Sequence, residues 1–157
     1  MWLTLLDFKI GDEKLAREMD VRFLDALPTR KLLFPDTVEV LNYLRDKGYR
    51  MHLITNGFEK TQHSKLKHSG LAGYFNEVIT SEGCNSLKPH KEIFDYALLK
   101  AGADRAESIM LGDNVEADIQ GAMNAGIDQV YVNHLGLDPD VRPTYTVRSL
   151  LELKEIF

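Results

Sequence analysis

Cysteine is nearly absent from this sequence, and long apolar runs are absent altogether. The one cysteine, Cys84, cannot form an internal disulfide, which favours a reducing compartment such as the cytoplasm. No segment approaches the roughly 20 consecutive apolar residues that a membrane span requires. Residues 1–10 also lack the basic start and small-residue cleavage site of a secretion signal. The sequence therefore predicts a cytoplasmic protein that neither depends on disulfides nor crosses a membrane.

Positive charge is not in excess either. The chain has 19 Lys and Arg residues against 24 Asp and Glu, which gives a net charge of −5 and a pI near 5.5. Nucleic acids and anionic membranes attract clustered basic residues, so neither is an expected partner. The five histidines show no metal-ligand spacing with the cysteine. A phosphate group would have to be held by a local site.

The remaining composition is that of an ordinary globular domain. The chain has 157 residues, of which 44% are hydrophobic and 27% charged. This length can bury a core without metal or disulfide support. No repeat or low-complexity tract interrupts it. We expect one main globule.

Glycine and proline divide the chain into alternating helices and strands. Asp36 and Glu39 have the spacing of a capping box at the start of the second helix. Short connections between helix and strand are typical of a parallel sheet covered by helices on both faces. The predicted helices are 12–27, 36–47, 59–68, 91–100, 115–124 and 150–157. The predicted strands are 49–55, 77–80, 108–111, 129–132 and 145–147.

Polar residues follow three of these strands, where ligands bind in open parallel sheets. Thr55, Asn56 and Gly57 follow the first strand and offer a hydroxyl, an amide and an accessible backbone N–H to a phosphate. Lys88 follows the second strand and precedes Pro89, which favours an extended backbone at the lysine. This lysine would place a positive charge over the site.

Two carboxylates follow the third strand. Asp113 comes directly after it, and Asp118 is five residues further on, within the first turns of the next helix. Mg²⁺ prefers a few protein oxygens together with water and substrate phosphate. Asp113 and Asp118 are therefore candidate Mg²⁺ ligands.

Each of these features also has an ordinary structural explanation. Thr-Asn-Gly often forms a turn, Lys-Pro often lies in a solvated loop, and Asp113 could cap the following helix. Their order on successive strands favours a shared site. A noncatalytic protein that binds a phosphorylated ligand remains an alternative. A response-regulator receiver domain is disfavoured, because Thr55 precedes both Lys88 and Asp113.

In this order, Leu53-Ile54-Thr55-Asn56-Gly57, Lys88-Pro89 and Gly112-Asp113 with Asp118 resemble motifs II, III and IV of the haloacid dehalogenase superfamily. The resemblance covers nearly the whole chain. Neighbouring segments, such as residues 66–71, 88–94 and 116–122, are similar to the pyrimidine 5′-nucleotidases that discard noncanonical nucleotides. The resemblance implies an α/β fold with a Rossmann-like three-layer α/β/α core at residues 31–157. Residues 1–30 would be the remnant of a helical cap and its return linker.

The resemblance also implies a role for each candidate residue. Thr55 would hydrogen-bond the transferring phosphoryl group, with help from Asn56 and the Gly57 amide. Lys88 would neutralise charge on the phosphoryl group and the nucleophile. Asp113 would ligate Mg²⁺, and Asp118 would support it through water or a hydrogen bond. Members of the superfamily form and hydrolyse an aspartyl-phosphate. The implied substrate is a small phosphorylated metabolite, most naturally a nucleotide.

One expected motif is missing. Family members open with a hydrophobic strand that ends in Asp-x-Asp, whose first aspartate is the nucleophile. Residues 2–7 form an apolar run ending at Asp7, but Lys9 replaces the second aspartate, and a helix is the favoured interpretation. The resemblance therefore implies a core truncated at its N-terminus and inactive alone.

The missing strand would be central to the sheet, between the strands that end near Thr55 and Asp113. Its vacant place would expose the backbone groups of both neighbours. Three fillers of this place are expected as alternatives: direct pairing of the two neighbours, residues 1–6 as a strand, or a second copy of the chain in a homodimer.

Overall fold

The computed structural model describes all residues, 1–157. Its strands are β1 His52–Thr55, β2 Glu77–Thr80, β3 Ile109–Gly112, β4 Asp128–Val132 and β5 Tyr145–Val147. Its α-helices are α1 Trp2–Asp7, α2 Glu13–Ala26, α3 Thr37–Asp46, α4 Glu59–Ser69, α5 Ser81–Cys84, α6 Lys91–Ala101 and α7 Gly121–Ala125. A π-helix, Val115–Gln120, leads into α7, and 3₁₀ turns occur at Leu27–Thr29, Ala72–Tyr74, Arg105–Glu107 and Leu150–Glu155. No helix is both long and apolar enough to cross a membrane.

The strands form two parallel sheets instead of one. β1 pairs with β2, and β3, β4 and β5 pair in that order. The first two proposed fillers of the central position are wrong, since β1 and β3 are not paired and residues 2–7 form the helix α1. β1 and β3 each keep one edge without a backbone partner.

Helices cover both faces of the strands, as the three-layer prediction requires. On one face, Ile93 and Phe94 of α6 are fully buried in a cluster that also takes Ile54 of β1 and Met110 of β3. On the other face, Val40 and Leu44 of α3 pack with β4, β5 and the C-terminal 3₁₀ turn. A buried side chain of this size contributes about 1.5–3 kcal/mol. Because this cluster takes in side chains from both sheets, one apolar layer joins them.

The N-terminal helices lie outside both clusters. α2 begins where the Asp12 carboxylate accepts a hydrogen bond of 2.9 Å from the Leu15 amide, and it ends before Pro28, as predicted. Neither core cluster contains a residue of 1–30. Many apolar side chains here remain exposed, among them Leu3, Phe8, Val21, Phe23 and Leu24. The division at residue 30 into cap remnant and core stays a prediction.

The capping box predicted at Asp36 and Glu39 is wrong. Asp36 has a φ of 61° and its side chain makes no cap hydrogen bond, while Glu39 pairs with Lys154. A capping box forms instead at Ser149 and Glu152, at the start of the C-terminal 3₁₀ turn.

Candidate functional site

The loop after β1 is closed by the side chain of Thr55, the last residue of the strand. The Gly57 amide donates a hydrogen bond of 3.1 Å to Oγ1 of Thr55. A hydroxyl has one proton and two lone pairs, so this bond leaves the Thr55 proton free to donate. The Gly57 N–H, in contrast, is already used within the loop.

Asn56 links the loop after β1 to the loop after β2. Its Nδ2 donates to the Lys88 carbonyl at 2.9 Å, and its Oδ1 accepts from the Lys88 amide at 2.7 Å. The Asn56 carbonyl also accepts a bond of 3.1 Å from the Ser81 hydroxyl. The two loops are therefore held together at the carboxyl ends of their strands.

The ammonium of Lys88 lies where the two sheets come together. Nζ donates to the Ile54 carbonyl of β1 at 3.0 Å and to Oδ1 of Asp118 at 2.6 Å. The Lys88 and Asp118 side chains are only 12% and 7% exposed. An ammonium has three protons, so one remains for an anion.

Asp118 is held by the turn that contains it. Its Oδ2 accepts a bond of 3.1 Å from the Asn114 amide, and the Asn114 side chain accepts one of 2.8 Å from Ala117. A Cβ at Gly112 would lie 2.3 Å from the Asp118 Cβ, so only glycine fits beside it. The turn is a π-helix, a form that often occurs at functional sites. Asp118 therefore points at Lys88 with both oxygens engaged.

Asp113 is different, because its carboxylate is exposed and takes part in none of the hydrogen bonds or ion pairs found in the chain. No group of three His, Cys, Asp or Glu side chains is placed to hold a metal ion. The residues present fit Mg²⁺ in one way: Asp113 supplies a direct oxygen, and water and substrate supply most of the others. With both oxygens engaged, Asp118 fits a supporting position.

The structure thus brings most of the predicted site residues together. Hydrogen bonds join Asn56, Lys88 and Asp118, and a separate hydrogen bond joins the neighbouring Thr55 and Gly57, while Asp113 lies at the end of β3 outside both sets. A depression of about 370 Å³ lies elsewhere, lined by Asp95, Leu98, Leu99, Gly102, Ala103, Asp104 and Arg105.

Two participants were missed from the sequence. Asn114 has the residue type and position of a helix N-cap, which could have identified it. The Ile54 carbonyl is a backbone group on a strand edge, and nothing in its residue type indicates that role.

A sequence profile of the haloacid dehalogenase-like hydrolases matches residues 12–132 of the chain. Pyrimidine 5′-nucleotidase YjjG of Escherichia coli is 37% identical over 142 residues, which cover 88% of this chain and 63% of that protein. Pyrimidine 5′-nucleotidase PynA of Streptococcus pneumoniae is 36% identical over 146 residues, which cover 91% of this chain and 62% of that protein. The chain therefore spans less than two thirds of the length of these relatives.

A solved structure has the same fold. The HAD-hydrolase YfnB of Bacillus subtilis, determined bound to magnesium, superposes with a TM-score of 0.85 at 27% identity. The superposition covers 97% of this chain and 66% of YfnB.

Proposed function

Because the chain belongs to the haloacid dehalogenase-like hydrolases, we propose that it is the phosphoryl-binding core of a Mg²⁺-dependent phosphomonoester hydrolase that acts on nucleotide 5′-monophosphates. The substrate class is suggested by the two relatives named as pyrimidine 5′-nucleotidases. It is a proposal for the whole protein, of which this chain would supply the binding groups.

The placement of Lys88 carries this proposal. Its ammonium is largely buried and fixed by two hydrogen bonds, yet it keeps one proton for a ligand. A preorganised cation of this kind stabilises the charge of a phosphoryl group more than a mobile surface lysine does. The Ile54 carbonyl accepts one of these bonds. Thr55, whose hydroxyl proton is free to donate, is the next residue along the chain.

Magnesium, when bound at Asp113, would neutralise phosphate charge and orient the phosphoryl oxygens. Asp113 offers it a carboxylate that no other protein group engages. Asp118 would keep the Lys88 ammonium in place and align the turn that follows Asp113. Thr55 would donate its proton to a phosphoryl oxygen.

Under this proposal the chain alone does not turn over substrate. Attack on phosphorus by a carboxylate needs a free oxygen at the site. In this proposal Asp118 holds Lys88 through its hydrogen-bonded carboxylate and Asp113 binds the metal, so neither carboxylate is assigned to the attack. The site then has binding groups but no nucleophile.

Calorimetry with uridine 5′-monophosphate, uridine and Mg²⁺ tests the binding part. We expect the monophosphate to bind and the nucleoside not to bind, with tighter binding when Mg²⁺ is present. Equal affinity for the two ligands would contradict a phosphoryl site. A phosphate-release assay tests the catalytic part, and turnover that Asp113→Asn abolishes would show that the chain is active after all.

A second candidate function is favoured by the unpaired edges of β1 and β3. Unpaired edges are templates for pairing with another chain. In this alternative the chain is a noncatalytic protein that forms a homodimer, in which a second copy covers these edges. Sedimentation equilibrium distinguishes the two, since a chain that stays monomeric at its highest soluble concentration would rule out the homodimer.

A further inference from the structure

We propose that Asn56 is a positioning residue, which acts on the ligand through Lys88 and not by touching it. The inference rests on the proposed function, because it concerns how the same site holds its cation. The sequence resemblance would instead place Asn56 in contact with the phosphoryl group.

The geometry of the Asn56 amide carries the inference. Its donor and its acceptor are both directed at one residue, with bonds of 2.9 Å to the Lys88 carbonyl and 2.7 Å from the Lys88 amide. Both distances lie within the normal range for N–H···O bonds. A primary amide can accept from the backbone N–H of a residue and donate to the C=O of the same residue at once.

The Lys88 backbone depends on this contact. Asn56 makes the only hydrogen bonds to its amide and carbonyl, since Lys88 lies outside every helix and strand. The preceding side chain, Leu87, is half exposed and belongs to neither core cluster. Lysine has a flexible four-carbon side chain, so the position of its ammonium depends on where its backbone lies. Asn56 holds that backbone.

Asn56 is itself fixed from the other side. Its carbonyl accepts a hydrogen bond of 3.1 Å from the Ser81 hydroxyl. Three residues further along, the Glu59 amide donates to the Glu82 carboxylate at 3.0 Å. The loop after β1 is thus attached to α5, and the Asn56 amide is oriented before Lys88 meets it. The chain of contacts runs from α5 through Asn56 and the Lys88 backbone to Nζ.

The reactivity of Lys88 toward reductive methylation, mapped by mass spectrometry, tests the inference without any ligand. Asn56→Ala removes both hydrogen bonds. Asn56→Asp keeps the acceptor for the Lys88 amide and loses the donor to its carbonyl. Asn76→Ala is a matched control, because Asn76 is exposed and its side chain makes no hydrogen bond. Thermal melting shows whether each variant is folded.

We expect Asn56→Ala to raise the methylation rate of Lys88 about tenfold, which corresponds to losing two ordinary hydrogen bonds. Asn56→Asp should raise it less, and Asn76→Ala should not change it. The other lysines should keep their rates in all three variants. An unchanged Lys88 rate in Asn56→Ala would overturn the inference. If Asn56→Ala raises the methylation rate at every lysine, the variant is generally loosened, and Asn56→Asp decides the outcome. A folded Asn56→Asp protein in which the rate rises at Lys88 alone would support the inference, and any other result for it would overturn the inference.

Binding of inorganic phosphate with Mg²⁺ separates this inference from the proposed function. Weaker phosphate binding in Asn56→Ala, with Lys88 reactivity unchanged, would mean that Asn56 touches the ligand and would overturn the positioning role. If the wild-type chain binds no phosphate but Lys88 becomes reactive in Asn56→Ala, the proposed function fails and the positioning role stands.

Discussion

Lys88 Nζ and Asp118 Oδ1 lie 2.6 Å apart and join two sheets that share no backbone hydrogen bond. The lysine follows β2 and the aspartate follows β3. The same ammonium also binds the Ile54 carbonyl on β1. This one side chain therefore connects the carboxyl ends of both sheets, which makes the site and the stability of the fold depend on the same contact.

Breaking this ion pair should cost stability. Removing one partner leaves an uncompensated buried charge, so Lys88→Met or Asp118→Leu should each lower the free energy of unfolding by about 3–5 kcal/mol. The double variant should lose clearly less than the sum of the two. Urea denaturation measures all three. The exposed pair Arg17 and Glu13 is the control, where Glu13→Gln should change stability by no more than about 1 kcal/mol.

Additive effects at Lys88 and Asp118, within about 0.5 kcal/mol, would show that the two side chains do not interact in solution.

Thr55→Val should weaken phosphate binding about tenfold, because it removes one hydrogen bond to a charged ligand. Valine keeps the β-branched shape that suits the end of a strand. Thr55→Ser keeps the hydroxyl and should bind phosphate nearly as the wild type does. Calorimetric titration with inorganic phosphate and Mg²⁺ compares the three proteins. Equal affinities for Thr55→Val and the wild type would remove Thr55 from the proposed site.

Much of the secondary structure could be predicted from the sequence. The bounds of β2 and β5 were predicted correctly, because turn residues enclose short runs of β-forming residues. β1 is shorter than predicted, since its partner strand begins at Glu77, which lies opposite His52. The extent of a strand is set by pairing, which residue patterns alone do not contain.

The order of the site residues could also be predicted, but not their hydrogen bonds. The three polar loops were placed correctly at strand ends because parallel strands bring those ends together. Whether Asn56 faces a ligand or Lys88 depends on the path of two loops. The capping box at Asp36 failed for a similar reason, since a left-handed backbone at that residue turns its side chain away from the helix start.

Asp113→Asn should remove the effect of Mg²⁺ on phosphate binding. The neutral amide is a much weaker Mg²⁺ ligand than the carboxylate, whereas the fold should be unaffected because the exposed Asp113 side chain makes no hydrogen bond or ion pair. The measurement is the ratio of phosphate affinities with and without Mg²⁺, which should fall to about one. Asp25→Asn, at an exposed position of α2 outside the site, should keep the wild-type ratio. A Mg²⁺ effect that survives Asp113→Asn would place the metal elsewhere.

Gly112→Ala should disturb Asp118. The new Cβ would lie 2.3 Å from the Cβ of Asp118 and 2.4 Å from its Oδ2, so the turn must move. We expect a loss of about 1–3 kcal/mol in the free energy of unfolding, together with weaker phosphate binding. Gly73→Ala is the control, because a Cβ there meets nothing within 4 Å. Equal stability of the two alanine variants would mean that Asp118 does not lie against Gly112.

His52, at the start of β1, should make the fold less stable in mild acid. Burial lowers its pKa below the ordinary 6.5, and the charge of Arg50 lowers it further, while Glu77 opposes the shift. The unfolded chain then binds more protons than the folded chain once the pH falls below about 6.5, so stability is complete above that value and declines beneath it. Urea denaturation at about pH 7.5 and about pH 5.5 measures the decline.

His52→Leu removes this protonation, and also removes a buried Nδ1 that has no hydrogen-bond partner. The stability difference between the two pH values should therefore shrink in the variant. A variant that loses as much stability as the wild type would assign the acid sensitivity to other groups.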